Sequence, residues 1–281
     1  MLLGLNGATT MKADLETDIE VARQAGFPLL EIWGGKLRHY LQKHSSAELA
    51  ERLKAANVKA LSINSVERAT FAGPEWEKVE RTCRDFAAVA GEIECEYLVM
   101  VPGKRPPGAT DSEVKDETIS VLEAFADIGA AHDVKIALEF LGFPWCSVRT
   151  LERAWEIVAE VDRPDVGLVI DTFHFHIGGS SLAALRRIES SKLFILHIND
   201  CEDRPVAQLQ DAHRLLPGEG ILPVRRIADE LKAIGYDRVA SIEIFRPEYW
   251  ERDPFELAAA AKAAAEKTLG LTSKNTKPKN T

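Results

Sequence analysis

Eight short apolar runs punctuate this chain, and stretches of helical periodicity lie between them. The runs are Leu2–Asn6, Leu29–Trp33, Val58–Asn64, Tyr97–Val101, Lys135–Phe140, Val166–Ile170, Leu193–Ile198 and Val239–Ile244. Several are nearly continuous in apolar residues, such as Tyr-Leu-Val-Met-Val and Leu-Phe-Ile-Leu. A strand with one wet face would alternate instead. Near-continuous runs belong to strands buried on both faces, as in parallel sheets.

The intervening stretches read as amphipathic helices. Over 45–57, Leu49, Leu53 and Ala56 share a face, and Ser45-x-x-Glu48 fits a capping box. Trp76, Val79, Cys83, Phe86 and Val89 repeat at helical spacing over 75–90, as do Leu151, Trp155, Val158 and Val161 over 150–161. Thr110-x-x-Glu113 opens another helix over 110–132. Eight such units have one economical closure, the (β/α)₈ TIM barrel of the α/β class. An open doubly wound sheet is the alternative. It calls for a glycine-rich phosphate turn after an early strand, and neither GxGxxG nor GxxxxGK[ST] occurs.

No composition shift splits the chain, so residues 1–271 are expected to form one barrel domain. Residues 272–281 (TSKNTKPKNT) are polar and basic and are expected to form a disordered tail. A net charge of −9 argues against a surface that tracks nucleic-acid phosphates. No apolar run reaches the roughly 20 residues that span a bilayer, and the N-terminus lacks the regions of a signal peptide. The four cysteines form no CxxC pair, which fits reduced thiols and a cytoplasmic setting. The remaining partner is a small molecule.

On this fold chemistry sits where strands end. Strand five stops at Glu139, strand six at Asp171, strand seven near His197 and strand eight at Glu243. Three carboxylates brought to one face would repel and pay for desolvation, and a divalent cation resolves both problems. The oxygen-rich set with one nitrogen suits Mn²⁺, Mg²⁺, Co²⁺, Zn²⁺ or Fe²⁺ rather than a structural zinc site. His174 follows Asp171 by three residues and can reach the same pocket; His176 is a second candidate there. Trp33, Trp145 and Phe245 lie at or just beyond strand ends and are candidates to wall it. Among the early strands only Glu31 offers a further ligand.

These residues carry a resemblance. Asn6-Gly-Ala-Thr-Thr10, Lys135-Ile-Ala-Leu-Glu139-Phe, Asp171-Thr-Phe-His174-Phe-His176, His197-Ile-Asn-Asp200 with Glu202-Asp203-Arg204-Pro205, Pro217-Gly-Glu-Gly220 and Glu243-Ile-Phe-Arg246-Pro-Glu-Tyr249 span most of the chain. The chain resembles the xylose-isomerase-like barrels that isomerise and epimerise sugars, and within them the bacterial 2-keto-myo-inositol (inosose) isomerases of inositol catabolism.

The resemblance implies that Glu139, Asp171, His197 and Glu243 hold one divalent metal ion. It implies that Glu139 or Glu243 moves a proton through an enediolate, with His174 assisting. It places His174 and Arg204 or Arg246 toward the substrate; His176, Trp145 and Asn6 are further expected substrate contacts. A homo-oligomer is compatible with it. Ketohexose 3-epimerisation and inosose dehydration would use the same ligands and stay open at this point. A DNA-cleaving barrel would need more early-strand ligands and a basic groove, and a sugar-binding barrel without turnover would not need the ligand set. The Pro/Gly-rich segment 102–109 departs from the pattern, and such loops set specificity on this fold.

Overall fold

The computed structural model describes residues 1–271, and the tail expected over 272–281 lies outside them. The barrel strands are β1 (Leu2–Asn6), β2 (Leu29–Trp33), β3 (Lys59–Val66), β4 (Tyr97–Met100), β5 (Lys135–Glu139), β6 (Val166–Asp171), β7 (Leu193–Ile198) and β10 (Val239–Ile242). They close in the order β1-β10-β7-β6-β5-β4-β3-β2, every pair parallel. The two remaining strands, β8 (Asp200–Cys201) and β9 (Arg214–Leu215), form a small antiparallel ribbon over the loop after β7. The expected barrel is therefore the observed one. The sequence reading of β10 ran two residues long, because Glu243 and Ile244 leave the sheet while staying buried.

Helices pack around the outside, and their ends follow the capping chemistry. Ser45 and Thr110 each accept from the backbone three residues on, and Glu48 and Glu113 return the bond to the cap, completing both boxes. The helix Leu15–Ala25 starts on Asp14 and ends at Gly26, whose φ of 73° is the left-handed geometry that favours glycine.

Strand periodicity of two is what builds the site. Ala137, Val169, Ile195 and Val239 belong to one small cluster filling the barrel interior. Glu139, Asp171 and His197 stand two residues further along their strands and Glu243 four, an even spacing in each case, so all four side chains point into the same interior above that cluster. Alternate residues such as Leu138, Ile170, Leu196 and Ile242 face the helices instead, in the larger outer core.

Candidate metal centre and substrate cavity

Glu139, Asp171, His197 and Glu243 converge at the C-terminal end of the barrel, all buried, and one ligand atom from each lies within 4.8 Å of the others. Donors bound at about 2.0–2.3 Å around one cation must sit within about 4.5 Å of one another, so this cluster is already near the geometry an ion requires. Three carboxylate oxygens and one imidazole nitrogen fit a divalent cation of borderline or hard character.

His197 shows how the centre is held. Its Nδ1 lies 3.0 Å from Glu139 Oε1 and 3.5 Å from Glu243 Oε2, while Nε2 lies 3.0 Å from Glu31. Nδ1 thus faces the ligand cluster, and Nε2 is fixed from below by a carboxylate that also accepts from Ser62 Oγ at 2.7 Å and from Asn6 Nδ2 at 3.2 Å. Glu31 belongs to this supporting layer rather than to the ligand set. Asn6, expected to touch substrate, is fully buried and joins the same layer: its Nδ2 also donates to Glu243 Oε1 at 3.1 Å, alongside Asn64 Nδ2 at 2.9 Å.

The electrostatics follow from this crowding. Burial raises the Glu139 carboxyl to about 7, with Glu243 and Asp171 adding to the rise and His197 opposing it. Burial also raises Asp171, against the pull of Arg214. Glu243 goes the other way: burial alone would raise it, but His197, Arg214 and the Asn64 amide together hold it below the usual carboxylate range. For His197 burial opposes the charged form, yet the carboxylates of Glu31, Glu243 and Glu139 outweigh it and push the imidazole well up.

Arg214 is the residue that sequence reasoning missed. It is completely buried, with Nη1 donating to Asp171 Oδ2 at 2.8 Å and lying 3.3 Å from Glu243 Oε2. The guanidinium sits over the rings of Phe173 and Phe245, with its carbon 4.8 and 5.2 Å from their centroids. Its Nη2 donates to His174 Nε2 at 3.1 Å. Since a guanidinium only donates, His174 must accept at Nε2 and carry its proton on Nδ1. That Nδ1 is buried and has no partner in the protein. Burial, reinforced by Arg214, holds the His174 pKa well below the ordinary histidine value, so the side chain is a neutral ring with one N–H to offer.

A cavity of about 690 Å³ opens above the cluster. Glu139, Glu243, His174 and Arg214 reach its floor, and Trp33, Trp145 and Phe245 line its walls. Other expected contacts lie elsewhere. Arg204 is exposed and paired with Glu202 at 2.5 Å, because it sits in the outer turn after β8. Arg246 Nη1 bonds Glu202 at 2.8 Å and approaches the carbonyls of Ala212 and Arg214, tying the loop together from behind. His176 lies in the short helix Thr172–Ile177 and does not line the cavity. Arg214 is the guanidinium at its floor, with Arg68 at the lip.

The likeness to known proteins matches this geometry. A family model for the xylose isomerase-like TIM barrel matches residues 19–269. The chain belongs to that family. It is 36% identical over 276 residues to the inosose isomerase of Bacillus velezensis, covering 95% of this chain and 96% of that one. It is also 36% identical over 268 residues to the inosose isomerase of Bacillus subtilis strain 168, covering 93% and 95%. The crystal structure of the IOLI protein with a bound zinc atom superimposes with a TM-score of 0.93 at 34% identity, over 98% of this chain and 100% of that one. No helix among the described residues is long and apolar enough to cross a membrane.

Proposed function

We propose that this chain is a metal-dependent inosose isomerase, moving a carbonyl between neighbouring carbons of a polyhydroxylated ring by proton transfer through an enediolate. The observation that carries the reading is the four-residue cluster within 4.8 Å at the floor of the cavity, in a chain about one-third identical to inosose isomerases along nearly its whole length. The similarity to a zinc-containing relative supports one divalent ion, of unspecified identity, at this cluster.

Bound there, such an ion supplies Lewis acidity toward a carbonyl and its neighbouring hydroxyl. The protein's own groups do the rest. Glu139 and Glu243 both approach His197 Nδ1, at 3.0 and 3.5 Å, and are the two carboxylates able to take the α-proton and return one to the adjacent carbon. Glu243 has one oxygen held by two amides and is kept ionised, which suits acceptance of a proton. Glu139 is the second carboxylate at the cavity floor, placed to hand the proton back. His174 offers Nδ1–H to a substrate oxygen as a neutral donor, and Arg214 keeps it in that tautomer. Trp33 and Phe245, packed edge to face with centroids 5.5 Å apart, shield the reacting carbons from water.

The test is proton NMR of the metal-loaded protein with 2-keto-myo-inositol in D₂O. Carbonyl migration with deuterium entering the ring is expected. No exchange at any carbon, with the metal bound, would overturn the reading.

A further inference from the structure

The cavity is much larger than the ring the floor can hold. A cyclitol of six carbons and six oxygens occupies roughly the space of five or six waters, about 150–180 Å³ at some 30 Å³ each, against a cavity of about 690 Å³. The polar groups that could recognise a ketone and its hydroxyl (Glu139, Glu243, His174 and Arg214) are gathered at the floor. Above them the walls turn aromatic.

One wall is continuous from floor to mouth. Phe143 meets His174 edge-on with centroids 5.2 Å apart, and Trp145 stacks on Phe143 at 5.7 Å with the planes inclined by only 13°. Trp145 ends this shelf and is 44% exposed, unusual for so large an apolar side chain. Phe71 and Trp76 line the cavity from the segment after β3. Charges at the lip have both signs, Glu67 and Glu75 with Arg68 and Lys104, and Arg68 is paired with Glu75. That mixture does not select an anionic substituent. Flat apolar faces favour a flat apolar partner.

We infer that the outer chamber, walled by Phe71, Trp76, Phe143 and Trp145, is a binding site for an aryl substituent carried by the keto ring. This rests on the reading of the floor as the reacting end. With the carbonyl and its neighbouring hydroxyl directed at the floor, the opposite carbon of the ring points to the mouth, so a substituent there enters the aromatic chamber.

The experiment compares 2-keto-myo-inositol with three derivatives bearing a benzyl ether, a methyl ether or a glucosyl group on the carbon opposite the carbonyl. Binding to the metal-loaded protein is followed by calorimetry and turnover by NMR. The benzyl ether is expected to bind at least about tenfold more tightly than the methyl ether, an ordinary worth for one stacked ring. Phe71→Ala should erode that preference about tenfold, and Trp76→Leu gives an independent check should the first variant fold poorly. Equal affinity of benzyl and methyl ethers overturns the inference, as does tighter binding of the glucosyl derivative than of the benzyl ether. Turnover of inosose without any benzyl preference would refute the chamber and leave the isomerase standing. Benzyl preference without turnover of any ketone would support the chamber and refute the isomerase.

Discussion

Replacing Arg214 by methionine separates the two sources of positive charge that this site requires. The substitution keeps length and bulk between Phe173 and Phe245 but removes the fork. Asp171, fully buried, would lose its 2.8 Å partner and keep only Asn199 Nδ2 at 2.6 Å and the His174 backbone amide at 2.8 Å. Glu243 would lose a cation at 3.3 Å. The Asp211 pair adds little, since Asp211 is 40% exposed and solvent screens it. Breaking a buried ion pair from one side costs about 3–5 kcal/mol. At about 2–4 °C per kcal/mol for a chain near this size, the metal-free variant should melt about 6–20 °C lower.

Metal changes the sign of part of this effect. Without the guanidinium the carboxylates present a more negative site, so the variant should hold a divalent ion more tightly. Every tenfold gain in affinity adds about 1.4 kcal/mol of stabilisation at saturating ion. The rise in melting temperature on adding metal should therefore be larger for Arg214→Met than for the natural chain. Turnover should nevertheless fall by about 100-fold or more, because His174 loses the bond that fixes its tautomer. Differential scanning calorimetry with chelator and then with metal measures both terms. An equal rise for the two proteins would refute the assignment of Arg214 as a counter-charge to the ligand carboxylates.

Glu139→Gln and Glu243→Gln should each lower turnover of inosose by about 1000-fold with the helical circular dichroism unchanged; activity within about tenfold of the natural chain would remove that residue from proton transfer. Glu31→Gln places an amide against three donors and should weaken metal binding about 10–100-fold in a chelator competition, as loss of a carboxylate behind a ligand histidine does. Lys36→Met should destabilise the chain in a pH-dependent way. Lys36 Nζ donates to Asp18 at 2.7 Å and to the carbonyls of Gly7 and Thr10, and burial raises Asp18 from 3.8 to about 7 in spite of it. A carboxyl raised on folding favours the folded state when protonated, and that contribution is lost as pH climbs through its folded value. Removing the lysine raises Asp18 further, so urea titrations should show a larger penalty near pH 8.5 than near pH 5.5, and Asp18→Asn in the same chain should flatten the difference.

Much of this site was legible because strand periodicity and burial leave few alternatives. A carboxylate or an imidazole closing an apolar run, four times over at consecutive strands, could be placed at one end of the barrel without coordinates. Glu31 interrupts Leu-Leu-Glu-Ile-Trp in the same manner and was visible as an early-strand polar residue, though nothing in the sequence distinguishes a ligand from a residue that braces one. Arg214 was hidden for a different reason. It lies 17 residues beyond His197 in a turn-rich stretch, where no period fixes the direction of a side chain, and it comes inward only because β8 and β9 pair as a ribbon. Arg204 and Arg246 carried the more conspicuous sequence context and lie behind the same loop, where Glu202 engages both.

The position of Arg214 bears on why the centre calls for a dication. Glu31, Glu139, Asp171 and Glu243 bring four buried carboxylates together, and one buried guanidinium answers them. Protonation of His197 or of Glu139 relieves part of the imbalance, and the upward direction of both groups expresses that pressure. A divalent ion relieves it without those protons, and ligation requires His197 to bind through an unprotonated Nδ1. The proton then belongs on Nε2, where Glu31 accepts it at 3.0 Å. The bracing carboxylate thus does more than orient the ring: it favours the one tautomer compatible with the ion. Exchanging Glu31 for glutamine also removes a charge that stabilises the His197 imidazolium, so the cost in metal affinity should be largest above neutral pH and should shrink at low pH, where the protonated ring of the natural chain competes with the ion; a cost that grows on acidification would refute this account.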